Sequence, residues 1–271
     1  MKIKNTFAVL ALLFVISAVH AQTKETRNVS TFTEISFRIP GKLFLTQGNV
    51  QKVEVEGSAE ALKKIETDVE GGELTIKHEG DSWNWGSGNE KFNVYITVKN
   101  IEGISVSGSG TLVGQNKFSV TSLDLDVSGS GSMQIEANAS GDIQADVSGS
   151  GSLDLKASCK NYSGDVSGSG KIIVAAVITE KSDFSISGSG TIKASGSAKE
   201  TKVDITGSGE LQAGDLEVGI CRVRITGSGE VEINVKDDLD ANISGSGTVN
   251  YKGNPNHVNG HSSGSGHVKK M

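Results

Sequence analysis

Two prolines, two cysteines and an aromatic share of only 5% are the scarcities of this 271-residue chain. With so few prolines, its 35 glycines do not describe a collagen-like helix. An apolar share of 35% in regular alternation excludes disorder. Basic tracts interleaved with aromatics are missing and the formal net charge is −6, which argues against nucleic acid and disfavours an acidic substrate. Beyond the first 21 residues no apolar run is long enough to cross a bilayer as a helix. No His-Glu-x-x-His motif, phosphate loop or nucleophile elbow between strand and helix is present.

The start of the chain reads as a targeting signal. Lys2 and Lys4 precede an apolar run from Phe7 to Ala18, and Val19-His20-Ala21 places small residues at the −3 and −1 positions. Cleavage after Ala21 is expected, leaving 24 basic against 32 acidic residues, a charge of −8. No cysteine follows the apolar run, so a lipid-anchored N-terminus is not expected. Residues 22–30 are polar and read as a loose leader.

What the chain has in abundance is one string. Ser-Gly-Ser-Gly or Thr-Gly-Ser-Gly begins at Ser107, Ser128, Ser148, Ser167, Ser187, Thr206, Thr226, Ser244 and Ser263, with a mean step of 19.5 residues. Such a period is the signature of a solenoid. From Leu123 to Glu136 apolar residues and glycines occupy one parity, with Asp, Ser, Gln and Glu on the other, which is strand periodicity. Val106, Val127, Val147, Val166, Ile186, Ile205, Ile225 and Ile243 precede the motif. Leu112, Met133, Leu153, Ile172, Ile192, Leu211, Val231, Val249 and Val268 stand two residues beyond it. Stacking the coils turns these into two internal ladders. The expectation is an all-β fold, a single-stranded right-handed parallel β-helix of about 20 residues per coil, with a regular section about 40 Å long.

The glycine pairs Gly108/Gly110, Gly129/Gly131, Gly149/Gly151, Gly168/Gly170, Gly188/Gly190, Gly207/Gly209, Gly227/Gly229 and Gly245/Gly247 read as structural turn positions facing inward at a narrow corner, with the serines facing solvent. Cys159 and Cys221 are about three coils apart, roughly 14 Å along the axis. A disulfide needs Cα atoms within about 7 Å, so two reduced, buried cysteines are expected.

Residues 31–100 read as a strand-rich entry to the solenoid, followed by regular coils over 101–271 with a polar C-terminal cap. Ser58 to Thr67 is the helical candidate, with Ser58 as its cap. His78 to Glu90 holds both tryptophans. Trp83 and Trp85 there are read either as a loop folded over a sheet edge or as an aromatic platform for a sugar or another surface. Asp126, Asp146 and Asp165 would stack as like charges and are weak candidates for calcium. His257, His261 and His267 are weaker candidates still for a surface metal site. Asp124 and Asp126 would lie about 7 Å apart on one strand, a spacing compatible with glycoside hydrolysis and equally with ordinary solenoid decoration.

The chain resembles the head GIN domain family, labelled "putative auto-transporter adhesins" and common in exported proteins of Bacteroidota. The matching residues are Phe32-Thr33-Glu34-Ile35, Gly41 to Gly48, Val53-Glu54-Val55, Gly72-Glu73-Leu74-Thr75-Ile76, Val94-Tyr95-Ile96-Thr97-Val98 and Ile104-Ser105-Val106-Ser107-Gly108-Ser109-Gly110. The resemblance implies a β-helical fold and a place in the periplasm, on the outer-membrane surface or outside the cell. It brings no catalytic residues and no cofactor. A non-catalytic adhesin or scaffold that binds a glycan or an envelope protein along an extended face is the first reading. A polysaccharide lyase or glycoside hydrolase on a β-helix is the alternative, and self-association through a flat face or an end is a third possibility.

Overall fold

A computed structural model describes residues 23–80 and 92–271. The expected signal peptide and the Trp83/Trp85 segment lie outside these described residues. The chain begins with β1 (Thr23–Arg27), β2 (Glu34–Phe37), β3 (Lys42–Gln47), β4 (Lys52–Gly57), α1 (Ala59–Lys63), β5 (Ile65–Glu70), β6 (Glu73–His78) and β7 (Asn93–Val98). The coils continue through β8 (Gly103–Gly108), β9 (Thr111–Val120), β10 (Leu123–Gly129), β11 (Ser132–Ala139), β12 (Asp142–Gly149), β13 (Ser152–Cys159), β14 (Asn161–Gly168), β15 (Lys171–Ile178) and β16 (Lys181–Gly188). Three long strands follow, β17 (Thr191–Gly207), β18 (Glu210–Gly227) and β19 (Glu230–Gly245). The last are β20 (Thr248–Lys252), β21 (His257–Gly264) and β22 (His267–Lys270).

The result is an all-β, mostly parallel solenoid with coils of about 20 residues. Each coil has two faces joined at the Ser-Gly-Ser-Gly corner. The leading face precedes the motif and stacks β8, β10, β12, β14 and β16, then the C-terminal halves of β17, β18 and β19, then β21. The trailing face stacks β9, β11, β13 and β15, the N-terminal halves of β17, β18 and β19, then β20 and β22. Both apolar ladders form in register. Val127 lies between Val106 and Val147, and Met133 between Leu112 and Leu153. Most of the trailing ladder is fully buried, and only Val268, on the last coil, is partly exposed. Variation in step length is absorbed on the trailing face, where the register shifts between Gln134 and Glu136, Lys193 and Ser195, and Ala213 and Glu217.

The two glycines of each corner do different things, which corrects the expectation that both are inward-facing turn positions. The first glycines, Gly108, Gly129, Gly149, Gly168, Gly188, Gly207, Gly227 and Gly245, are exposed or half-buried and all have positive φ. They make the turn but do not face the interior. At Gly129, with φ 95°, an added Cβ would meet the Gly108 carbonyl oxygen at 2.8 Å. The second glycines, Gly110, Gly131, Gly151, Gly170, Gly190, Gly209, Gly229 and Gly247, are buried, and none has positive φ. They face the interior as expected but are not left-handed turn residues. Glycine is needed there for space instead. A Cβ on Gly131 would lie 2.9 Å from both Val106 Cγ1 and the Gly110 oxygen. On Gly151 it would meet Val127, on Gly209 Ile186, on Gly229 Ile205 and on Gly247 Ile225, each a ladder residue of the preceding coil. The parity pattern treats the two glycines alike because it cannot register a change of φ sign. The inter-coil ladder crosses the corner intact, with Ser130 N donating to Gly108 O at 2.7 Å and Ser132 N to Gly110 O at 2.9 Å.

Both cysteines are free and buried. Cys159 belongs to the trailing-face column that continues to Ile178. Cys221 belongs to a leading-face column with Thr201 and Leu239. Burial raises both thiols, Cys159 to about 11 and Cys221 to about 12.

The N-terminal region departs from chain order. β2 pairs with both β6 and β8, and β3 with both β7 and β9. The β2–β3 coil is therefore inserted between the β6–β7 coil and the first repeat coil, so Ile35 stacks on Ile104. Residues expected as a loose leader instead form β1, antiparallel to β4. The unpaired edge of β4 offers it hydrogen bonds, Lys24 reaches Glu54 at 3.2 Å, and Arg27 Nη2 donates to Leu62 O at 2.7 Å. The helix forms where expected but is shorter. Ser58 Oγ accepts from Ala61 N at 3.1 Å, and Ile65 already belongs to β5, antiparallel to β6. Ala61 and Leu62 are buried under it.

Candidate functional site

The solvent side of the leading face carries the most regular chemistry of the described residues. Ser107, Ser128, Ser148, Ser167, Ser187, Thr206, Thr226, Ser244 and Ser263 stand in register as one row of hydroxyls. Ser128 and Ser107 hydroxyls are 3.0 Å apart. Parallel stacking of near-identical coils produces this row directly, since the side chain just before each glycine must point out when the preceding Val or Ile points in.

Two residues earlier in each coil, Asp126, Asp146 and Asp165 are also in register, flanked by Ser105 and Ser185. Their like charges are moderated locally. Ser105 Oγ donates to Asp126 at 3.2 Å, Gln144 Nε2 to Asp146 at 2.9 Å, and Ser163 Oγ to Asp165 at 3.1 Å. Burial pushes the Asp146 carboxyl up, the Gln144 amide pulls it back, and the charges of Asp165, Asp126 and Asp124 push it up again. These carboxylates follow one another along the stack. Among the described residues no group of three or more His, Cys, Asp or Glu is arranged to hold a metal ion. That includes the calcium candidates Asp126, Asp146 and Asp165, and also His257, His261 and His267.

Two shallow grooves border these columns. One, of about 540 Å³, is lined by Asp124, Asp142, Gln144, Asn161, Lys181 and Asp183 among others. The second, about 300 Å³, is lined by Asp146, Ser148, Asp165, Ser167, Ser185 and Ser187. Carboxylates that accept, an ammonium that donates, and amides and hydroxyls that do both are the groups that meet the hydroxyls of a sugar. Asp124 and Asp142, on neighbouring leading-face strands, line the first groove together with Asp183 from two coils further on. A recess of about 640 Å³ at the other corner, lined by Asn100, Glu102, Ser119, Thr121, Asn138 and Ser140, is nearly uncharged.

Trp83 and Trp85 lie outside the described residues. Phe44 and Tyr95, which sequence reading did not single out as a pair, come together on the solvent side of the trailing face. Their rings stack at 5.2 Å and 19°. Lys24 Nζ lies 4.1 Å from the Tyr95 centroid, and Tyr95 OH donates to Glu56 at 2.7 Å. That bond, then burial and the Glu56 charge, raises the Tyr95 phenol. Both faces of Tyr95 are therefore covered, so the pair is a packed stack. Phe44 on the polar parity between Leu43 and Leu45 was the available signal. Its partner required knowing that β3 lies beside β7.

Among the described residues no helix is long and apolar enough to cross a membrane. The family model described as "Putative auto-transporter adhesin, head GIN domain" matches residues 31–194 and 165–255. A solved structure described as a putative adhesin from Parabacteroides merdae is 23% identical with a TM-score of 0.68, covering 92% of this chain and 96% of that one. Another, a putative adhesin from Parabacteroides distasonis, is 24% identical with a TM-score of 0.61, covering 93% and 98%. A third, from the same species and described as a putative lipid binding protein, is 24% identical with a TM-score of 0.59, covering 92% and 96%. These likenesses establish a shared fold. No curated protein matches the chain.

Proposed function

Because the chain belongs to the head GIN domain family, described as "Putative auto-transporter adhesin", we propose that it is an exported, non-catalytic adhesin or scaffold of the cell envelope. Its working surface is the solvent side of the leading face, and its ligand is a glycan lying along the rod. The observation that carries this reading is the register-locked row of hydroxyls beside the Asp126, Asp146 and Asp165 column. A polymer aligned with the axis meets the same groups at every coil, roughly each 4.8 Å, so many weak contacts add without a deep pocket. The grooves beside the columns supply the carboxylate, amide and ammonium partners. Location in the periplasm, on the outer-membrane surface or outside the cell follows from the expected leader.

A glycan array tests this. The wild type should bind at least one linear acidic-poor glycan, and an Asp124→Ala/Asp142→Ala/Asp183→Ala variant should bind it roughly tenfold more weakly or worse. Unchanged binding in that variant, with loss in Trp83→Ala/Trp85→Ala, moves the site to the tryptophan segment and overturns the leading-face reading.

A further inference from the structure

The two ends of the leading face are complementary, and we propose that copies of this chain stack head to tail, the β21 edge of one pairing with the β5 edge of the next. The inference is independent of the glycan reading, since it uses the ends and not the outward columns between them. Among the described residues β21 pairs only with β19, and β5 only with β6. All eight residues of β21 are exposed. An edge strand offers a row of unpaired N–H and C=O groups, and a copy placed end-on satisfies them. β5 runs antiparallel to β6, which is parallel to β2 and β8, so the new pair is antiparallel.

The side chains select a head-to-tail contact. On β21 the outward positions are His257, Asn259 and His261, and no Asp or Glu follows Asp240. On β5 the outward positions are Glu66, Asp68 and Glu70, while Ile65 is buried and Val69 packs on the core. Across a new antiparallel pair these sets face each other at about 5 Å, imidazole N–H toward carboxylate. The alternatives place like on like: two β21 edges oppose histidines, and two β5 edges oppose three carboxylates each. Val258, 43% exposed on the core side of β21, would be covered by the core side of β5, where Val69 stands. The groups around the two histidines are Asp238 and Asp240 from β19 and, across the contact, Glu66, Asp68 and Glu70, with Lys77 beside Glu66 at 3.4 Å. The trailing face adds backbone pairing between β22 and β1 but no charge complement, since β22 brings His267, Lys269 and Lys270 toward Lys24, already held by Glu54, and Arg27, already held by Glu25; the attraction rests on the leading face. A contact between different ends does not close on itself, so it propagates the solenoid into a filament.

Charge exchange between the ends is the test, read by sedimentation velocity and electron microscopy at low salt. The wild type should form rods of several copies, in amounts rising with concentration. The Glu66→Lys/Asp68→Lys/Glu70→Lys variant and the His257→Glu/Asn259→Glu/His261→Glu variant should each self-associate roughly tenfold more weakly or worse. Mixed together they should regain rods, since each then meets its complement. If either triple variant loses the wild-type circular dichroism, the single Asp68→Lys and His261→Glu changes carry the same exchange. A wild type that stays a single copy at every concentration overturns the proposal. So do variants that assemble like the wild type, a mixture that stays dispersed, or assembly that stops at two copies.

Discussion

The solenoid closes its two ends in different ways. At the N-terminal end the repeat is abandoned. The β2–β3 coil slots in behind the β6–β7 coil, β4 and β5 turn antiparallel, and α1 places Ala61 and Leu62 over the core. At the C-terminal end the repeat continues and only its contents change. In the column that runs through Ile225 and Ile243, the next coil has Ser262, and below Ala241 it has Gly260. Val268 sits within 3.0 Å of where a Gly260 Cβ would be, and helps to close the end. A repeat supplies stacking but not termination. One end is terminated by new structure, the other by removing apolar bulk from old structure.

The sharpest way to break this comparison is to make the same substitution in the middle and at the open end. At Gly190 a Cβ would run into Val166 Cγ1 and lie 2.9 Å from the Gly170 oxygen. Gly190→Ala should cost about 3 kcal/mol or prevent folding, because Val166 and Gly170 of the preceding coil must move while the coils stacked beyond hold Gly190 in place. Gly266→Ala makes a similar clash, 2.5 Å from Ile243 Cγ2. There the last coil can peel away, so the urea midpoint should barely change while amide protection is lost in β21 and β22 alone. Equal losses at both sites would show that the open end is as cooperative as the middle.

The closed end should respond next. Leu62→Ala empties a buried site in the helix lid and should cost about 2.5 kcal/mol in urea unfolding. Ser58→Ala removes the cap to Ala61 N and should cost about 1 kcal/mol. If either leaves stability unchanged, the lid does not contribute to holding the stack.

The smallest expected effect lies in the regular coils. The Asp146 carboxyl is raised in the folded protein, so the folded state holds its proton more tightly than the unfolded chain. Its contribution is therefore most favourable at low pH and falls as pH rises from the usual carboxylate range through the raised value. Asp146→Asn should remove that fall and stabilise the protein at neutral pH by about 0.5 kcal/mol, the size of a relieved like-charge neighbour. Melting curves at acidic and neutral pH check both the sign and the convergence at low pH.

The regular coils were legible because each residue's partner is the residue about 20 positions away. Val127, Asp146 and Ser167 could be placed from parity and period alone. The corner was half legible: parity put Gly151, Gly209, Gly229 and Gly247 inside, but it could not separate them from their positive-φ neighbours two residues earlier. The N-terminal end was not legible for the opposite reason: Ile35 stacks on Ile104 and Phe44 on Tyr95 across irregular distances that no periodicity encodes. β1 was read as loose because Thr23 to Arg27 is polar throughout, and only the open edge of β4 gives it a reason to be a strand.

The sequence by itself determined the solenoid, its coil length, the two apolar ladders and the outward hydroxyl row, because short-range alternation and a fixed period dictate which side chains stack. The tertiary structure alone decided the order of the first coils and the covering of one end by α1 and β1. It also decided that the leading face ends in edges of opposite character, β5 and β21. Those features depend on which unpaired edge a segment meets, and backbone hydrogen bonding at an edge is satisfied by any strand that arrives in the right direction, whatever its sequence.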